Sequence, residues 1–255
     1  LITFGLSEVV LVHVIDTLSQ ASKTFRKFDE EIINSEKMHL ESMGLRVKSM
    51  VPIGNPAAEI VQIAQNEKAS LIAIASHGKG IIKKIFLGST TNDVIRTTTV
   101  PVLIEKYKDV DKETCKIICR NKLKRVLLPT DFSIHSQRVY ERFLGFAHLV
   151  QEVVIVSVIE SASNDEELFL ATQETDCRMF KMKQDLEQLG LKTKTILCKG
   201  SASAKIIETA NYEKASLIMM ATRGKGLIKE LLLGTTAQEV ARRSKQPLLL
   251  IPVSH

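Results

Sequence analysis

The chain has no tryptophan, and nine phenylalanines with three tyrosines bring the aromatic share to only 5%. Proteins that hold single strands by stacking need aromatic platforms, so nucleic acid is a disfavoured partner. Cysteine is equally sparse. Cys115, Cys119, Cys177 and Cys198 include no CxxC pair. Cys115 and Cys119 are four apart, which a helix would place on one face, yet no nearby histidine or second pair completes a zinc set. Reduced thiols in a cytoplasmic protein are the expectation. No apolar run approaches the roughly 20 residues of a membrane span, so no membrane partner is expected. The opening residues lack a basic start, and Glu8 interrupts their apolar pattern, unlike a secretory leader. A Walker Gly-x-x-x-x-Gly-Lys-[Ser/Thr] motif, a Ser–His–Asp set and a metal cluster are all missing from the pattern. No catalytic residue is assigned, and slow ATP hydrolysis is the most that is expected of the chain as an enzyme.

What is present is ordinary for a globular protein: 44% hydrophobic and 25% charged residues, with a net charge of +6. Lysine and arginine are spread along the chain. That balance suits an anionic small ligand as well as it suits nucleic acid.

The 255 residues are two copies of one unit. Gly44 matches Gly190, Gly54 matches Gly200 and Gly78 matches Gly224, each pair 146 apart, and 26 of the 61 positions 44–104 are identical to 190–250. The period is far longer than that of a solenoid. The expected domains are 1–105 and 125–255, joined by a charged linker, 106–124, that has room for a short helix. The second copy opens with a strand at 125–131 and a helix after it. The first copy holds no counterpart for that strand and only a remnant of the helix at 1–7. A βα unit without its first strand leaves a hole in the sheet, so about 20 residues are expected before Leu1.

Within each copy, short apolar runs alternate with helical patterns. Residues 8–16 read as one buried strand. A helix face follows in Phe25, Phe28, Ile32, Ile33 and Met38, ended by Gly44 at a C′ position. Residues 45–53 read as a second strand. Pro56 suits the first turn of a helix carrying Ile60, Ile63 and Ala64 inward. Leu71–Ala75 is a strand, 89–97 a helix and 100–104 a last strand. The second copy repeats the scheme with strands at 125–131, 152–159, 191–198, 216–221 and 247–252. Its helices follow Ser133, lie within 165–189, and span 202–213 and 235–244. Alternation of this kind predicts α/β domains, with a parallel sheet covered on both faces and ligands taken beyond the carboxyl ends of the strands.

One stretch occurs in both copies at such an end. Ala75-Ser-His77-Gly78-Lys-Gly80 leads to Gly88-Ser89-Thr90, and Ala221-Thr-Arg223-Gly224-Lys-Gly226 leads to Gly234-Thr235-Thr236. Bare backbone N–H groups and hydroxyls at a helix start form a phosphate cradle. The plainer alternative is a loop whose glycines serve turns and whose threonines cap a helix. Asp131 ends the first strand, either to meet a ligand or to make an Asx turn. Arg223 stands where His77 does, which argues against a general base at His77. His13 reads as a packed core histidine, and the Phe and Met residues of 25–38 and 168–182 as core faces of helices.

These residues resemble the universal stress protein family in its tandem form. The nine-residue spacings Gly78 to Gly88-Ser89 and Gly224 to Gly234-Thr235 match that family's nucleotide signature, Pro129-Thr130-Asp131-Phe132-Ser133 its first-strand motif, and Pro101-Val102-Leu103 and Pro247-Leu248-Leu249 its last strand. Ala75 and Ala221 depart from it by replacing the first glycine of the signature. The resemblance covers nearly the whole chain outside the linker. It implies two tandem doubly wound, Rossmann-like parallel sheets of order 3-2-1-4-5. It also implies an adenine nucleotide ligand, ATP or AMP, with Mg2+ admitted alongside. Pro129, Thr130 and Asp131 would lie at the adenosine end. The backbone at Val158, with Val14 as its counterpart, would meet adenine beside Met220 and Ala221. Phosphates would go to Arg223, Gly224, Gly234, Thr235 and Thr236, with Ala75, His77, Gly78, Gly88, Ser89 and Thr90 their counterparts. Members pair through last strands, so the copies are expected to form an internal pseudo-dimer, with a homodimer also open. The function implied is that of a ligand-regulated stress-response protein. The alternatives are an interaction module of the same fold without nucleotide, and an adenine-nucleotide-dependent enzyme of a related fold.

Overall fold

The computed structural model describes residues 5–16, 23–76, 87–108, 116–117, 121–161, 163–224 and 233–253. The chain divides into two units, 1–69 and 70–255.

The first unit pairs β1 (Glu8–Val12) in parallel with β3 (Arg46–Met50), and β2 (Ile15–Asp16) with β4 (Ile53–Gly54). The run 8–16 is therefore two strands, not one. His13, expected in the core, sits exposed at the break, where its N–H donates to Met50 O (3.0 Å). Helix α1 (Lys23–Ser42) buries Ile33, whereas Ile32 and Met38 are exposed. It ends at Gly44, whose φ of +83° makes the left-handed C′ turn. Helix α2 (Pro56–Asn66) starts with Asn55 Oδ1 accepting from Ala58 N–H (3.1 Å) and Pro56 in its first turn. It buries Ala57, Val61 and Ala64, and the expected Ile60 and Ile63 are only half-buried.

The second unit is built on a seven-stranded mixed sheet. Its strands are β5 (Ile72–Ala75), β6 (Val102–Glu105), β9 (Arg125–Pro129), β10 (Glu152–Ile159), β11 (Lys192–Lys199), β12 (Leu217–Ala221) and β13 (Leu248–Ile251). The order is β11-β10-β9-β12-β13-β6-β5. For the second copy this is the expected 3-2-1-4-5, all parallel. β13 then meets β6 antiparallel, with Leu249 opposite Leu103. The first copy does not make one sheet of its own. Among the described residues its β1–β3 pair forms a separate ladder, while β5 and β6 extend the large sheet. In the linker, the described residues include a two-rung ladder of β7 (Tyr107–Lys108) and β8 (Lys116–Ile117). Cys115 and Cys119 lie outside the described residues.

The described residues of the second copy also form α4 (Ile134–Leu144), α5 (Asp165–Gln188), α6 (Ala202–Tyr212) and α7 (Thr235–Arg243). α3 (Ser89–Thr97) precedes β6. Val126 and Leu128 of β9 pack in one cluster with Val139 and Phe143 of α4 and Met179 and Leu186 of α5. Leu127, between them, faces the other side and is also fully buried. Burial at successive positions means that both sheet faces are covered. The apolar residues of α5 divide differently from expectation: Met179 is buried, but Phe169 and Phe180 are each 60% exposed.

Candidate functional site

The ladder between β9 and β12 has two rungs, Val126–Leu217 and Leu127–Ile218. Both strands run on beyond it, to Pro129 and to Ala221. Here the strand order reverses, which is where open α/β sheets take ligands. A cleft of about 580 Å³ opens at this point. It is lined by the second-copy residues that the resemblance assigns to a ligand: Pro129, Thr130, Asp131, Val158, Met220, Ala221, Arg223, Gly224, Gly234, Thr235 and Thr236.

The turn after β9 forms one wall. Asp131 Oδ1 accepts from the Ser133 N–H (3.0 Å) and its hydroxyl (2.6 Å), an Asx turn. Ser133 in turn caps α4 by accepting from Ser136 N–H (3.2 Å). Thr130 Oγ1 accepts from Phe132 N–H (3.1 Å). These bonds hold Phe132 at φ +56°, a conformation that a bulky residue adopts only when its surroundings impose it. The other carboxylate oxygen, Oδ2, faces the backbone of Gly224: a Cβ there would stand 2.6 Å from it. A side chain at 224 would therefore have to displace the Asp131 carboxylate. Asp131 both makes the turn and faces the cleft, so the two readings of the residue are compatible.

The opposite wall is the end of β12 and the start of α7. Gly234 N–H donates to Thr222 O (2.7 Å), and Gly88 N–H to Ser76 O (2.8 Å) in the first copy, so the same clamp is built twice. Gln238 N–H donates to Gly234 O (3.0 Å), which leaves the N–H groups of Thr235, Thr236 and Ala237 ahead of the intrahelical ladder. All three residues line the cleft. Neither Thr235 nor Ser89 caps its helix through its side chain: Gly234 and Gly88 occupy the N-cap positions. The start of α7 therefore presents backbone donors and hydroxyls to a site at the positive end of a helix. Ala221 and Ala75 end their strands and are not among the residues of positive φ, so a small side chain suffices where glycine was expected.

Ala75 ends β5, and Gly88, Ser89 and Thr90 open α3. Val14 lies between β1 and β2 in the other unit. His77 and Gly78 fall outside the described residues, as do Lys225 and Gly226. Thr91 turns its hydroxyl onto Ala75 O (2.8 Å), where Ala237 of the second copy has no hydroxyl.

Sequence reasoning missed one side of the cleft. Ala171, Glu174, Thr175 and Arg178 line it from α5, at i, i+3, i+4 and i+7 spacing. Arg178 lies over the Phe132 ring at 5.5 Å and pairs with Glu174 at 2.6 Å. Glu160 accepts from Ala202 N–H (2.9 Å) and so ties β10 to the start of α6. No spacing rule marks these residues, because the face that α5 turns inward is set by packing.

Among the described residues, no group of three His, Cys, Asp or Glu side chains is placed to hold a metal, and no helix is long and apolar enough to cross a membrane. The universal stress protein family model matches residues 6–106 and again 122–252. The chain belongs to the universal stress protein family. A universal stress protein of Methanocaldococcus jannaschii is 33% identical over 132 residues, covering 42% of this chain and 82% of that one. One from Synechocystis is 21% identical over 97% of this chain and 80% of its own length. The crystal structure of a universal stress protein from Archaeoglobus fulgidus superposes with a TM-score of 0.74 and 25% identity, covering 98% of this chain and 89% of that one. The duplicated glycine loops and the tandem family match agree.

Proposed function

We propose that this universal stress protein binds an adenine nucleotide, ATP or AMP, in the cleft of its second repeat and acts in stress response through that ligand. One observation carries the reading: residues from β9, β10, β12 and α7, singled out from the repeated glycine loop and from the family resemblance, converge on a single cleft beside a helix N-terminus. In this reading adenine packs near Met220, with the Val158 backbone as its polar partner, and Asp131 takes the ribose. The phosphates lie on the N–H groups of α7 and on Gly224, Gly234, Thr235, Thr236 and Arg223. Mg2+ would enter on the phosphates of ATP. The ligand then stabilises the state that binds it, by mass action.

The repeats 1–105 and 125–255 are the proposed domains, with 106–124 between them. The antiparallel joining of β13 to β6 supports a pseudo-dimer built on the last strands. The ultraviolet spectrum and mass spectrum of freshly purified full-length protein provide the test. Co-purified adenine nucleotide, or its saturable uptake on addition of ATP or AMP, is the expected outcome. Protein that neither carries nor takes up either one sinks the reading and leaves an interaction module.

A further inference from the structure

Helix α5 presents three different faces. Met179 and Leu186 are buried in the core, and Ala171, Glu174, Thr175 and Arg178 line the cleft. The third face is exposed. On it Phe169, Gln173, Asp176 and Phe180 follow one another at i, i+4, i+7 and i+11, close to one line along the helix. Leu170 and Cys177 lie beside that line and are exposed as well. A single apolar side chain on a surface is ordinary. Two phenylalanines and a leucine along one helix face form a stripe that a second helix can cover.

The charges identify that second helix. Asp165, Glu166 and Glu167 fill the first turn of α5, just before Phe169, and Lys181 and Lys183 follow Phe180. The stripe is thus acidic at one end and basic at the other. Laid antiparallel on a second α5, it matches itself. Phe169 comes opposite Phe180 of the second copy, and Gln173 opposite Asp176, whose carboxylate accepts from the Gln173 amide. Asp165 and Glu166 come opposite Lys183 and Lys181. A two-fold axis between the helices makes every one of these contacts twice. A parallel pair would instead set the acidic ends against each other, and would align the two helix dipoles.

We infer that the outer face of α5 is a self-association surface, on which two copies of the chain pair through antiparallel α5 helices. This face is not the last-strand edge: β13 is already covered by β6 within one chain. It is also not the cleft wall, so the inference stands apart from the nucleotide reading. One helix pair lies at the low end of protein interfaces, so the dimer is weak, with a dissociation constant on the order of 10 μM. The exposed charge pairs set orientation more than affinity, and salt weakens them.

The test is sedimentation velocity of the full chain from about 1 to 200 μM. A monomer at the low end and a dimer at the high end are expected. Phe169→Glu and Phe180→Glu are each expected to weaken pairing about tenfold or more. Their thermal transitions should stay at the wild-type temperature, because both rings face solvent in the monomer. Two charge variants read the orientation. Asp165→Lys with Glu166→Lys makes both ends of the stripe basic, and Lys181→Glu with Lys183→Glu makes both acidic. Each is expected to stay monomeric alone, and a mixture of the two to form a heterodimer. Should a charge variant fail to fold, the phenylalanine variants decide. A wild type that stays monomeric throughout overturns the inference and leaves the face to a different protein. A dimer that survives Phe169→Glu and Phe180→Glu pairs elsewhere and overturns it too. Folded charge variants that do not recognise each other overturn the antiparallel pairing.

Discussion

Asp131 has two tasks, and they separate by substitution. One oxygen holds Ser133 and through it the cap of α4, and the other faces Gly224. Asp131→Ala removes both and should destabilise the chain by about 1–2 kcal/mol in urea unfolding. Asp131→Asn keeps an acceptor for the turn and should stay within about 0.5 kcal/mol of wild type. Nucleotide affinity is expected to fall in both variants. Equal stability of the two would contradict the turn role.

Lys106 presents a second residue-scale case. Its ammonium is buried, donates to Ala241 O (2.6 Å) near the end of α7, and is pushed down from 10.5 to about 8 by desolvation. Between those values the unfolded chain binds more protons than the folded one, so stability rises with pH across that window. Below about pH 8 the penalty is present in full, of the order of 3 kcal/mol. Lys106→Met should therefore stabilise the protein at pH 7 by about 1–2 kcal/mol, the lost bond to Ala241 offsetting part of the gain. Urea midpoints from pH 7 to 10 should show the wild-type slope flattened in the variant.

Among the elements, α7 is the one whose position decides the site. A Cβ on Gly234 would stand 3.3 Å from Thr222 O and 3.5 Å from Arg223 Cα, so a branched side chain there pushes the helix start away from β12. Gly234→Val should cost about 1–3 kcal/mol in stability, leave the sheet folded, and remove nucleotide affinity from the second repeat. The contrast with α5 shows where sequence reading stops. The start of α7 was legible because glycine and hydroxyl residues recur at a fixed distance after a strand, and that spacing follows from local backbone needs. α5 offers no such marker. Its Phe169 and Phe180 look like core in sequence yet face solvent, while Arg178 and Glu174 reach the cleft. Which side of a 24-residue helix turns inward depends on partners distant in sequence.

At the scale of the whole molecule, the second repeat was legible strand by strand because each strand is a short apolar run closed by a turn. The distribution of the first repeat's strands was not, since pairing partners are not written in any single run. β5 and β6 join the sheet of the second repeat through β13. A fragment of residues 121–255 would leave β13 as an open edge carrying the fully buried Leu248 and Leu250. Light scattering should find that fragment dimeric, and a stable monomer would count against pairing through last strands. The central claim, a nucleotide in the second-repeat cleft, is tested most directly by calorimetric titration of the full chain and of Gly234→Val with ATP. The account predicts saturable binding by the wild type and a stoichiometry lower by one site per chain in the variant. No binding by the wild type, or an unchanged stoichiometry and affinity in the variant, would contradict it.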